Sequence, residues 1–235
     1  MSFPRRSKII GFTLLEMLVV IAILAILIAL ALPAIQGARA KADLAGGVAN
    51  MRQWGVAMTL YAADNNQSLP GEPLLWGQWP IWNRAVPSSL GTRMITYFGI
   101  EPPNTGGDHL VKAMAPPLYW RMNPGSSLKF PMFIRNTGEN LNGILLADGT
   151  RAWPWGRQGT PNIPPMTLPA IASAPGLMRT WMLRDVDQTG PFPNNQAGWG
   201  NGLPKSPLYG KSRLQLNFDM SAEVVSSSLN MTQNR

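Results

Sequence analysis

The chain has no cysteine. No disulfide, thiolate metal site or cysteine nucleophile can form, which fits any compartment, an oxidising one included. Histidine occurs once, at His109. A serine–histidine–aspartate arrangement has no nucleophile elbow or other recognisable context here, so His109 reads as a loop residue. There is no H-E-x-x-H pair and no Walker loop. The acidic residues number only 12, and no two of them stand out as a glycosidase couple. No enzyme activity, cofactor or metal is therefore expected. Charge of either sign is sparse, and the formal balance is +8. Arg5, Arg6 and Lys8 lie in the first eleven residues, and the rest of the chain has no dense basic run. Scattered basic residues on a solvated surface account for this balance, and a nucleic-acid partner is not expected.

What the chain does have is one long apolar block. Phe12 to Leu32 is 21 residues with a single charge, Glu16. At 1.5 Å per residue such a helix is about 32 Å long, close to the ~30 Å hydrocarbon core of a bilayer. A buried helix of a soluble protein seldom has so long an apolar run. A secretory signal peptide has a shorter apolar region, about 7–15 residues, followed by small residues at the cut. Ala29, Ala31 and Ala34 could imitate such a cut.

The residues before the block separate these readings. Ser7-Lys8-Ile9-Ile10-Gly11 leads directly into Phe12-Thr13-Leu14-Leu15-Glu16. A short basic stretch, a glycine, then Phe-Thr-Leu-Leu-Glu opening an apolar helix closely resembles the prepilin leader of the type IV pilin and type II secretion pseudopilin family. The resemblance implies cleavage after Gly11 on the cytoplasmic side, retention of the apolar helix, and methylation of the new amino group on Phe12. The physics is compatible. Gly11 has no side chain to hinder approach of a protease to the backbone. Arg5, Arg6 and Lys8 hold the N-terminus in the cytoplasm, so the C-terminal domain lies across the membrane.

Glu16 is the odd residue of the block. An ionised carboxylate within the bilayer costs on the order of a few kcal/mol, so it demands a partner or a proton. A Glu near the interface could snorkel to water. The resemblance implies another answer: in a filament Glu16 of one subunit meets the Phe12 amine of a neighbour and sets the axial register.

Pro33 lacks an N–H, and its ring opposes the carbonyl of Ala29, so a kink is expected there. Helical spacing resumes beyond it at Ala40, Leu44, Val48, Met51, Gly55, Met58 and Ala62. One long helix, ending near Asp64-Asn65-Asn66, is the reading, with Gly46-Gly47 as a place where it could bend or melt. It offers methionines and Trp54 to a core.

From Gln67 prolines recur and exclude a second long helix. Trp76, Trp79 and Trp82 lie close together and could fill a core or form a stacking platform for carbohydrate. Gly143 to Trp153, with Asp148-Gly149 between two apolar runs, reads as a hairpin. Leu177 to Leu183 and Leu214 to Phe218 read as strands. Ala222 to Val225 returns beside the latter across Asp219-Met220-Ser221. Gly156 to Pro175 reads as a surface loop. The fold class is therefore α+β: a long N-terminal helix, half transmembrane and half amphipathic, packed on a small, mainly antiparallel sheet with long loops. The segments are 1–11 leader, 12–32 membrane helix, 33–66 amphipathic continuation and 67–235 outer domain.

Two further patterns occur near the C-terminus. Tyr209, nine intervening residues and then Asp219-Met220, with Asp185-Val186-Asp187-Gln188 upstream, resembles the closing segment of the planctomycete–verrucomicrobial prepilin-like subgroup. That segment has His and Gly where this chain has Tyr209 and Met220. Asp185 to Gly190 also resembles the start of a calcium loop, but Gln196 stands where the closing Glu of an EF-hand belongs.

The resemblance implies a pilin or pseudopilin, anchored once in a bacterial inner membrane with its outer domain periplasmic, or carried into a filament. Implied partners are the prepilin peptidase, other pilin subunits, and the assembly platform with its ATPase. The alternative is a membrane-tethered binding module, for polysaccharide, that uses the leader without polymerising.

Overall fold

A computed structural model of the chain describes residues 13–71, 77–78, 80–87, 89–122, 132–136, 143–157, 159, 161–189 and 203–228. The chain divides into two compact units, Met1–Ala42 and Asp43–Arg235. One helix, α1, runs Leu14–Asp64 and contributes to both.

Within the first unit every described residue, Thr13 to Ala42, is exposed. Leu14, Ile21, Ile28 and Leu30 are each more than 60% exposed although all are aliphatic. Aliphatic surface on all sides of a helix is stable only in an apolar surrounding. The helix is unbroken through Pro33. The proline costs the one backbone hydrogen bond to Ala29, and the helix absorbs it.

In the second unit α1 turns one stripe into the core. Gly47, Met51, Trp54, Gly55, Met58 and Ala62 are buried at three- and four-residue intervals, and Leu44 and Val48 are partly buried against the same cluster. Trp54 is the centre of this stripe. Its ring meets Phe98 edge-on at 4.8 Å and Phe133 at 5.9 Å. Its indole N–H donates to the Met114 carbonyl at 2.8 Å, so a large apolar side chain is buried with no polar atom stranded. Gly46-Gly47 is not a weak point of the helix. Gly47 is where the sheet approaches: a Cβ there would lie 2.4 Å from both Leu214 Cδ1 and Tyr209 Oη.

Nine short strands follow among the described residues: β1 (Gly77–Gln78), β2 (Ile81–Trp82), β3 (His109–Leu110), β4 (Phe133–Arg135), β5 (Ile144–Leu145), β6 (Arg151–Ala152), β7 (Trp181–Asp185), β8 (Ser212–Asn217) and β9 (Ala222–Ser226). Five of them form one sheet in the order β1-β4-β7-β8-β9, with every neighbouring pair antiparallel. β2 with β3 and β5 with β6 form separate two-stranded ribbons. Short helices α2 (Leu90–Met94), α3 (Pro117–Met122) and α4 (Leu168–Ser173) fill the connections.

The hairpins read from the sequence are present. β5 and β6 flank the Asp148-Gly149 turn, with Gly149 at φ 82°. β8 and β9 flank Asp219-Met220-Ser221. Three expectations shift. Leu177–Arg179 is a 3₁₀ turn, and its strand begins only at Trp181. The segment 156–175 contains α4, capped by the Thr167 hydroxyl, and bridges Ser68↔Thr167 and Arg157↔Ile163 tie it down; backbone pairing holds a stretch that its prolines made look loose. His109 lies in β3, not in a loop, with its ring 5.6 Å from that of Trp82.

Candidate functional site

Gly11 and Phe12, the expected cleavage and methylation positions, and the leader charges Arg5, Arg6 and Lys8 lie outside the described residues. Description begins at Thr13, and the first turn of α1 is already informative. The first N–H groups of any helix have no intrahelical acceptor. Here Thr13 and Glu16 supply acceptors to one another. The Thr13 backbone N–H donates to Glu16 Oε2 at 2.8 Å and the Thr13 hydroxyl donates to the same oxygen at 2.9 Å. The Glu16 N–H donates back to Thr13 Oγ1 at 3.2 Å. The pair is a capping box, with Thr13 at the N-cap and Glu16 at the third helical position. The carboxylate also faces the partial positive charge of the helix N-terminus.

This arrangement answers part of what Glu16 demands in an apolar setting. One carboxylate oxygen, Oε2, takes both donors of Thr13. Oε1 remains for a further donor near the chain's N-terminal end. Sequence reasoning gave Thr13 no role. The signal was present as Thr13-Leu14-Leu15-Glu16, a T-x-x-E pattern opening an apolar run.

The second unit offers another group of polar residues around β7 and β8. Arg213 and Asp187 form an ion pair with both side chains 1% exposed. Arg213 Nε donates to Asp187 Oδ2 at 2.7 Å and Nη2 donates to Oδ1 at 3.0 Å. Burial alone raises the Asp187 pKa, but hydrogen bonds from Arg213 and Thr189 outweigh it and hold the carboxyl below its ordinary value. With both oxygens engaged by a guanidinium, Asp187 is not a free calcium ligand. Arg213 occupies the place a cation would take. Among the described residues no three His, Asp or Glu side chains converge as a metal site.

Beside this pair Arg184 Nε donates to Gln215 Oε1 at 3.0 Å, and its guanidinium lies 4.6 Å from the Trp181 ring centre. Gln215 Nε2 donates on to Asn217 Oδ1 and Glu223 Oε2, and Asn217 Nδ2 to Glu223 Oε1 and Ser221 Oγ. These contacts knit β7, β8 and β9 and the turn between the last two. They explain why charged side chains are buried in a structural sheet.

Asp185 differs. It is 3% exposed, and neither carboxylate oxygen has a hydrogen-bond partner of normal geometry. Burial pushes its carboxyl up to about 8, with the Leu214 N–H and the Arg213 charge offsetting only part of that. The Tyr209 hydroxyl is likewise buried without a partner. Its pKa is raised, first by burial and then by the Asp185 charge. Tyr209 stands where the subgroup pattern has His, and it is used for packing against Gly47. Met220, where that pattern has Gly, takes φ 65°, a left-handed turn conformation in which glycine is unstrained.

Of the three clustered tryptophans, Trp82 is 6% exposed and belongs to the core. Trp76 and Trp79 lie outside the described residues.

The family model described as the prokaryotic N-terminal methylation motif matches residues 6–32. No curated protein and no solved structure matches the chain.

Proposed function

We propose that this chain, which carries the N-terminus of a prepilin-type protein, is a structural subunit of a type IV pilus-like or type II secretion filament. The observation that carries the reading is the head of α1. A methylation motif leads into a helix whose residues Leu14 to Leu32 are, Glu16 apart, of the kind that only an apolar environment or like helices can cover, with that one acid secured at its start. The apolar helix and the motif make membrane anchoring the natural state of the precursor.

On this reading the prepilin peptidase cuts between Gly11 and Phe12 and methylates Phe12. The leader charges Arg5, Arg6 and Lys8 keep that bond on the cytoplasmic side. The outer domain then faces the periplasm. The assembly platform and its ATPase lift the subunit from the membrane, and α1 helices of neighbouring subunits replace lipid as its surrounding. Glu16, already held at the first turn by Thr13, receives the Phe12 amine of a neighbour through its remaining oxygen. That contact pairs two charges in an apolar setting, where an unpaired one is costly.

The test is substitution of Glu16 in cells that make the filament. Glu16→Ala and Glu16→Gln should leave membrane insertion unchanged and reduce filaments, counted by electron microscopy, by an order of magnitude or more. Filaments at normal number with Glu16→Ala would contradict the reading and return the chain to the class of membrane-tethered modules.

A further inference from the structure

We infer that Arg39 and Lys41 form a basic collar that binds anionic lipid headgroups of the leaflet opposite the leader, an inference that rests on the membrane reading of α1. The spacing is the first support. After Glu16 the chain carries no charged residue until Arg39, an interval of 22 residues. Along a helix the rise from Glu16 to Arg39 is about 35 Å. The hydrocarbon core is ~30 Å thick and the bilayer with its headgroups about 40–45 Å. With Glu16 at one boundary of the core, Arg39 and Lys41 fall within the headgroup layer at the other.

The arrangement around the helix is the second. Residues two apart on an α-helix differ by about 200°, so Arg39 and Lys41 leave from nearly opposite sides. A protein partner docks on one face of a helix, whereas a headgroup layer surrounds it. Their neighbours Gly37, Ala38 and Ala40 are small, which leaves room for phosphates beside both cations. Arg39 and Lys41 are exposed, and neither makes an ion pair among the described residues. The first acid beyond them, Asp43, is engaged by Arg121. Long basic side chains near the end of a membrane helix suit this position, since their apolar stems follow the helix while the charge reaches the interface.

The collar would act after cleavage. Removal of the leader takes away Arg5, Arg6 and Lys8, leaving Arg39 and Lys41 as the nearest positive side chains to the membrane. They would then set how far the helix sits in the bilayer until assembly extracts it.

The experiment places the full chain in lipid nanodiscs of equal phosphatidylcholine and phosphatidylglycerol and counts retained lipids by native mass spectrometry. The wild type should retain phosphatidylglycerol in preference, and each basic residue near an anionic surface contributes a factor on the order of five. Arg39→Gln with Lys41→Gln should cut that preference by about 25-fold, and an Arg5→Gln, Arg6→Gln, Lys8→Gln chain should keep a clear part of it, the share that Arg39 and Lys41 supply. Preference that is untouched by the first variant and lost in the second overturns the collar and leaves the membrane reading standing. A wild-type chain recovered outside the discs overturns both.

Discussion

Thr13 and Glu16 hold each other at the first turn of α1, the backbone N–H and hydroxyl of Thr13 both donating to Glu16 Oε2, at 2.8 and 2.9 Å. Glu16 is thus oriented in the subunit alone, as the proposed contact with a neighbour's amine requires. Thr13→Ala removes two of the three hydrogen bonds of the cap. Loss of an N-cap costs about 1 kcal/mol, so amide exchange in the first turn of the detergent-solubilised chain should quicken by roughly fivefold. Thr13→Ser keeps the hydroxyl and should exchange like the wild type.

Gly46 and Gly47 look alike in the sequence and should behave in opposite ways. A Cβ at Gly46 meets Pro117 side-chain atoms at 3.5 Å, an ordinary contact, whereas one at Gly47 meets Leu214 and Tyr209 at 2.4 Å. Gly46→Ala should stabilise the chain by up to about 1 kcal/mol through helix propensity. Gly47→Ala should destabilise it by about 1–3 kcal/mol through overpacking. Thermal unfolding of the two variants, followed by near-ultraviolet circular dichroism, separates them.

The Asp187–Arg213 pair is buried on both sides and therefore sensitive to loss of one partner. Asp187→Ala leaves Arg213 buried and unpaired, which costs about 3–5 kcal/mol. Replacing both residues, as Asp187→Leu with Arg213→Met, should cost less than the single change, and denaturant titration checks the order.

Asp185 makes stability depend on pH. Its carboxyl titrates at about 8 in the folded chain against an ordinary value of 3.8. Between these values the folded state holds a proton that the unfolded state has released. The stabilising contribution is whole below about pH 4, declines through the window by at most about 1.4 kcal/mol per unit, and is gone above about 8. Asp185→Asn should flatten that decline. Denaturant midpoints measured at pH 5 and pH 8 for both chains give the answer; an equal fall in both removes Asp185 as the cause.

Much of this architecture was legible in the residues because local chemistry determined it. The apolar run, the stripe from Leu44 to Ala62, the Asp148-Gly149 turn and the β8–β9 hairpin each follow from periodicity or turn chemistry. The rest depended on contacts distant in sequence. Gly47 could not be told from a helix breaker until Tyr209, 162 positions later, was seen against it. Asp187 fits the start of a calcium loop in the sequence, and only Arg213, 26 positions later, shows both its oxygens engaged. Only the cap of Thr13 on Glu16 was fully local, and the apolar run beyond it drew attention away from a four-residue pattern.

The central claim is that the chain is processed as a prepilin, and the intact mass and N-terminal residue of the protein from its native membrane test it most directly. The account predicts a chain beginning at Phe12 and carrying one methyl group on its α-amine. A chain that still begins at Met1, or that begins beyond Ala29, would contradict it.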